Sequence, residues 1–211
     1  MKEDELLKAA MRLVKAMDKL ADETLPQEVA DVVKLHSKGA GVAGLAAGWA
    51  PGVGSTIAVT CAVGFIWTMY GRINGKIGIP LAKNIVKSIA SGVCTNLAAA
   101  AVSGLVCSTL TSFLAPPVAA IANAAIVYAL TWVSGLVYLK VLAKLANRKV
   151  DISKMSAEEI KAAMKEVVAA EDVKSLLKEA RDSFKQQKKN GELDDVNVEV
   201  DNSDDESGEE S

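Results

Sequence analysis

SIASGVCTNLAAAAVSGLVCSTLTSFLAPPVAAIANAAIVYALTWVSGLVYL, residues Ser88 to Leu139, runs for 52 residues without a charge. It is interrupted once, at Ala115-Pro116-Pro117, with 27 residues before the break and 22 after Pro117. An α-helix needs about 20 mostly apolar residues to cross a bilayer core. The stretch therefore predicts two bilayer-length helices joined by a proline turn at Pro116 and Pro117.

Working outward, charge is segregated along the whole chain. Residues 1–38 hold seven basic and eight acidic groups, and 150–190 hold nine and eight. Residues 39–149 hold eight basic groups and no acidic one, and 191–211 hold ten acidic groups and no basic one. The overall balance of −2 hides this pattern. An anionic lipid face attracts Lys and Arg and repels carboxylates, which would explain a cationic, acid-free block. Four regions follow: an amphipathic N-terminal region 1–38, an apolar hairpin domain 39–149, amphipathic helices 150–189 and an acidic tail 190–211 expected to be disordered.

Residues 39–70 predict a second hairpin. Gly44, Gly48 and Gly52 are four apart, so on a helix they share a face. Such a glycine zipper lets two backbones close up, as small residues do between membrane helices. Pro51 breaks the helix, because its ring clashes with the carbonyl four residues back. The arm before Pro51 is too short to span, so a hairpin entering and leaving by one side is expected.

The cations sit at the edges of the apolar blocks. Lys38, Arg72, Lys76, Lys83, Lys87, Lys140, Lys144 and Arg148 bracket both hairpins, and the turns carry none. The positive-inside rule then puts both termini in the cytoplasm, at a plasma or inner membrane. The nine Leu, Ile and Val residues of 118–139 favour insertion by roughly 3–5 kcal/mol before polar residues are counted. Trp67, Tyr70, Trp132 and Tyr138, near the block ends, suit the membrane interface. The arms are also rich in Ala, Gly and Ser, which suits helix–helix contact.

The flanks are amphipathic. Residues 4–21 place Leu6, Leu7, Ala10, Leu13, Val14, Met17 and Leu20 at steps of three and four. Thr24 and Pro26 open a second helix, with Thr24 as its cap. Ser156 and Glu159 form a capping box, and a phase slip near Ala170–Asp172 predicts two short helices with a bend. The acidic N-terminus does not read as a signal peptide. Three cysteines, Cys61, Cys94 and Cys107, give no paired framework and read as buried small apolar residues.

Chemistry-bearing motifs are sparse. His36, the sole histidine, stands beside Ser37 with no orienting acid, and reads as a polar helix-surface residue. Pro51 to Thr56 lacks the lysine and spacing of a phosphate loop. The cations form no stripe interleaved with aromatic residues, so nucleic acid is not an expected partner. Ser203 and Ser207 precede acidic residues, but a solvated tail is the simpler reading. No enzyme activity, cofactor or metal is expected.

Ala50-Pro-Gly-Val-Gly-Ser55, an apolar helix ending Tyr70-Gly71, a small-residue helix to Leu114, and Pro116-Pro117 leading into Asn123, Thr131, Gly135 and Tyr138 form a series. Together, over about residues 36–145, they resemble a bacterial domain of uncharacterised function. That domain occurs alone, in inner-membrane proteins, or behind small GTPase domains. The resemblance implies a membrane-associated helical domain that serves a GTPase or another cytoplasmic protein, and it supplies no catalytic residues.

The expectation is an all-α protein: four long central helices in two hairpins, flanked by amphipathic helices. Its expected role is non-enzymatic and membrane-associated, with hairpins in or on lipid and soluble ends that bind a partner. The alternatives are an oligomeric pore assembled on the glycine face, and a soluble bundle whose outer helices wrap the apolar hairpin. A form that stays soluble until it unwraps would join the two.

Overall fold

A computed structural model describes residues 3–19, 22–47, 54–102 and 116–193. The fold is all-α: α1 (Glu3–Ala16), α2 (Leu25–Ala47), α3 (Gly54–Ile77), α4 (Lys83–Val102), α5 (Pro116–Asn147), α6 (Ala157–Ala170) and α7 (Val173–Lys189), with a 3-10 turn at Ile152–Lys154. No strand occurs among the described residues.

The local signals explain most boundaries. α6 starts on the expected capping box: the Ser156 hydroxyl accepts from the Glu159 amide, and the Glu159 side chain accepts from the Ser156 amide. The predicted bend falls at Glu171–Asp172, where the Asp172 carboxylate caps α7 by accepting from the Ser175 amide at 3.1 Å. Pro116 and Pro117 are the first residues of α5. A proline is well tolerated there, since its missing N–H has no intrahelical partner at that position anyway.

Other boundaries moved. α1 is shorter than 4–21 and ends in a turn in which Asp18 takes a left-handed φ of 54°. Asp22, not Thr24, acts as the acceptor at the start of α2. Its carboxylate takes the amides of Thr24 at 3.0 Å and Leu25 at 3.2 Å, and the Thr24 hydroxyl at 2.8 Å. The Thr24 hydroxyl bond is the first reason that the Asp22 carboxyl is held below its usual range. The composition change at 38/39 falls inside α2, which continues through Gly39, Gly41 and Gly44 without a break.

α5 is the axis of the molecule. It touches every other helix and the 3-10 turn. α2 runs antiparallel to it, with Gly44 against Ala124 and Val33 against Gly135. α3 runs parallel to it at a constant offset: Tyr70 meets Ser134 and Asn74 meets Tyr138, each 64 residues apart. The end of α2 and the starts of α3 and α5 therefore share one pole. At the opposite pole, the Lys19 ammonium donates to the Ile77 carbonyl and Lys76 pairs with Glu28.

α1, α6 and α7 turn their apolar faces onto this core. Leu6, Ala9, Ala10, Leu13 and Val14 of α1 are buried, as are Ile160, Met164 and Val167 of α6 and Val173, Leu177, Ala180 and Phe184 of α7. Fully burying one such large side chain contributes about 1.5–3 kcal/mol. Leu193, placed by sequence in the polar tail, is also buried. Residues 194–211 lie outside the described set, as do Gly48, Pro51, Gly52 and Cys107.

Candidate functional site

One helix among the described residues, over Ala120–Asn147, is long and apolar enough to cross a membrane. In its most apolar window, 89% of the residues are buried inside the protein. Residues 127–139 are buried without exception. A helix apolar on all sides must be covered by something, and here the other helices cover it.

Small residues set the seams around it. A Cβ added at Gly44 would lie 2.9 Å from the Ala124 backbone and 3.3 Å from Val127. One added at Gly135 would lie 2.5 and 2.9 Å from the two Val33 methyls. One at Gly41 would run into the Phe184 ring. Gly44, expected to let two helix backbones close up, packs against α5 of its own chain. Further along the same seam Gly135 of α5 faces Val33 and Met69, a contact that the zipper spacing did not point to.

Polar groups inside the bundle are mostly satisfied, as burial demands. The Tyr70 and Tyr138 rings stack with centroids 3.8 Å apart and 17° between planes. The Tyr70 hydroxyl lies 2.5 Å from that of Ser134, and the Tyr138 hydroxyl donates to Asn74 Oδ1 at 2.8 Å. Ser37, Thr68 and Thr131 return their hydroxyls to carbonyls four residues back. Tyr70, Trp132 and Tyr138, expected at a membrane interface, are instead buried among helices. Their contacts explain the correction: each aromatic body fills core space, and the two tyrosine hydroxyls find partners on the neighbouring helix. One signal for the pair was present: Tyr70/Asn74 and Ser134/Tyr138 are both four apart, so each helix carries two polar groups on one face.

His36 is likewise a correction. It is fully buried, not on the surface. Its Nδ1 lies 2.7 Å from the Val32 carbonyl. Nε2 is buried without a hydrogen-bond partner among the described residues. Burial, and secondarily the Arg72 charge, hold the imidazole below its usual pKa. Its i−4 backbone bond let a polar residue enter the core, which periodicity alone does not reveal.

The edge cations meet acidic residues of the flanks. Lys140 pairs with Glu171 at 2.7 Å, Lys144 with Glu166 at 2.8 Å, and Lys76 with Glu28. The Lys87 ammonium sits 4.8 Å from the Trp67 ring centre, within cation–π range. The Lys144 bond is the main reason that the Glu166 carboxyl lies below its usual range. Arg72, Lys83 and Arg148 are exposed and Lys38 is half-buried. The acid-free block thus finds its carboxylates in α2 and in the α6–α7 arm.

Among the described residues, no three His, Cys, Asp or Glu side chains gather as metal ligands would. Cys94 is buried, as expected. A cavity of about 210 Å³ lies at the pole where α5 ends, lined by Met17, Gly78, Ile79, Pro80 and residues 150–153. What the geometry does provide is a bilayer-length helix kept out of water by six others.

Comparison with known proteins gives no identity: no protein family, no curated protein and no solved structure matches the chain.

Proposed function

We propose that this is a non-enzymatic, membrane-associated helical protein that carries its apolar helix inside an amphipathic sheath and presents it to lipid. The observation that carries the reading is the burial of 89% of a bilayer-length apolar window within the same chain. The further support is the charge plan. Described cations of 39–149 cluster toward the pole where α5 ends, and three of them are tied to carboxylates of the flanking helices. Breaking those ties would leave a cationic rim beside an apolar hairpin, a pairing suited to anionic lipid.

The sheathing helices α1, α6 and α7 keep charged outer faces, which are the surfaces left for a cytoplasmic partner such as a GTPase. Both termini stay on the cytoplasmic side in this reading. A pore built on the glycine face is the second reading. Gly44 already contacts α5, so that assembly requires the α2–α5 seam to open first.

Flotation of the purified full chain with phosphatidylglycerol-containing vesicles tests the proposal. The expected result is a protein stable in detergent-free buffer that floats with vesicles and resists carbonate extraction once bound. Protein left at the bottom of the gradient with every vesicle composition overturns the membrane reading. Release of an entrapped dye would favour the pore over simple insertion.

A further inference from the structure

We propose that His36 is a proton-operated latch on the sheath: acidification loosens α2 from α5 and frees the apolar helix for lipid. The proposal rests on the membrane reading above for its consequence, but not for the latch itself.

The geometry carries it. His36 is the only histidine in the chain. Its side chain is 0% exposed. Nδ1 faces the Val32 carbonyl at 2.7 Å, and a carbonyl only accepts, so Nδ1 carries the hydrogen. Nε2 is then a bare lone pair, buried and unpartnered among the described residues. Protonation adds an N–H donor and a positive charge at that same atom. Neither finds a partner there, and a buried unpaired charge is among the costliest features a fold can hold.

The surroundings do not compensate. From α3 the charged group bearing on the imidazole is Arg72, itself a cation. α5 has no charged residue from 116 to 139. α1 packs with Leu6, Ala9, Ala10 and Leu13, with Lys8 and Arg12 on its outward side and Glu5 at its margin. α7 approaches α2 with the Phe184 ring at Gly41. On α2 itself the nearest charges are Lys34 and Lys38, both basic; Asp31 is exposed and paired with Lys34.

The sign follows. A histidine with a depressed folded pKa favours the closed bundle only while neutral. Its contribution is complete above the unfolded value, about 6.5, and is lost as pH falls below it. The ratio of closed to open protein then drops by up to about tenfold per pH unit until the folded pKa is reached. Carboxylates ordinarily titrate near about 4, and Lys144 holds the Glu166 carboxyl below its usual range, so the window from pH 7 to 5 belongs to His36.

Three measurements on the full chain test this. With one histidine, the imidazole proton signal in NMR is unambiguous; its midpoint is expected below 6.5, and a midpoint at or above that value overturns the latch. Urea unfolding at pH 7.5 and 5.0 should show the wild-type closed-to-open ratio falling at least severalfold. His36→Asn, whose amide can still donate to the Val32 carbonyl, should show no such fall; an equal fall in that variant overturns the proposal. If His36→Asn does not fold, the wild-type titration and urea curves still decide.

Flotation with phosphatidylglycerol vesicles at both pH values separates the two ideas. Acid-enhanced flotation of wild type, not of His36→Asn, supports both. An acid-sensitive urea curve without flotation at any pH retains the latch and sinks the membrane reading. Equal flotation at both pH values with a flat urea curve does the reverse.

Discussion

Replacing Gly135 by alanine pits helix propensity against the seam between α5 and α2. In a helix interior alanine is favoured over glycine by about 1 kcal/mol, so the isolated helix gains. In the bundle the new Cβ would stand 2.5 and 2.9 Å from the Val33 methyls and 3.1 Å from Met69 Sδ. Met69 is unbranched and can shift. Val33 is β-branched and held near one rotamer in a helix, so α2 must move instead. Overpacking of this kind costs about 1–3 kcal/mol, which leaves Gly135→Ala roughly 0–2 kcal/mol less stable. At this chain length each kcal/mol lowers Tm by about 2–4 °C. Val33→Ala alone removes two buried methyls and costs roughly 2 kcal/mol with its cavity. In the double variant the new methyl enters the vacated space, so the two changes should be coupled by about 1–2 kcal/mol. Urea midpoints at constant slope measure all four proteins of the cycle. A Gly135→Ala protein that is more stable by the full propensity gain, with no coupling to Val33→Ala, would refute the close seam.

Two further predictions concern polar groups. Tyr138→Phe removes the donor to Asn74 Oδ1; Asn74 Nδ2 already lacks a partner among the described residues. Stranding the whole amide should cost about 1–3 kcal/mol in urea unfolding, with much of that recovered in the Tyr138→Phe/Asn74→Leu pair. Lys144→Met should raise the Glu166 pKa toward its ordinary value, followed by NMR titration. Because that carboxyl is depressed in the folded protein, its stabilising effect is present above the unfolded pKa and fades as pH falls through the folded one. An unmoved Glu166 titration in the variant would disprove the assignment.

Periodicity identified the amphipathic stretches of α1, α6 and α7, and the capping box placed the start of α6 to the residue. Those signals are local: they depend on neighbours within one turn. What covers an apolar helix is not local. Ala120–Asn147 has the same composition whether lipid or protein surrounds it, and the answer lies in residues such as Leu13, Val33 and Phe184 on three other helices. Gly44 illustrates the same point. Its face was legible, but its partner, the Ala124 backbone, was not. Tyr70 and Tyr138 were read as interface aromatics because they stand near block ends, yet the parallel register of α3 and α5 brings their rings together in the interior. His36 was read as exposed because its hydrogen bond to its own helix leaves no mark on periodicity.

The position of α5 in chain order has a consequence for biosynthesis. α1 to α4 leave the ribosome before the helix that they pack upon. At about 5–20 residues per second, α6 and α7 follow α5 by a few seconds. During that interval the face of α5 that meets Val173, Leu177, Ala180 and Phe184 is bare. The nascent chain therefore passes through a state in which its most apolar helix faces whatever surrounds the ribosome. Water, a chaperone and a membrane insertase would then compete for that face before the last two helices close over it.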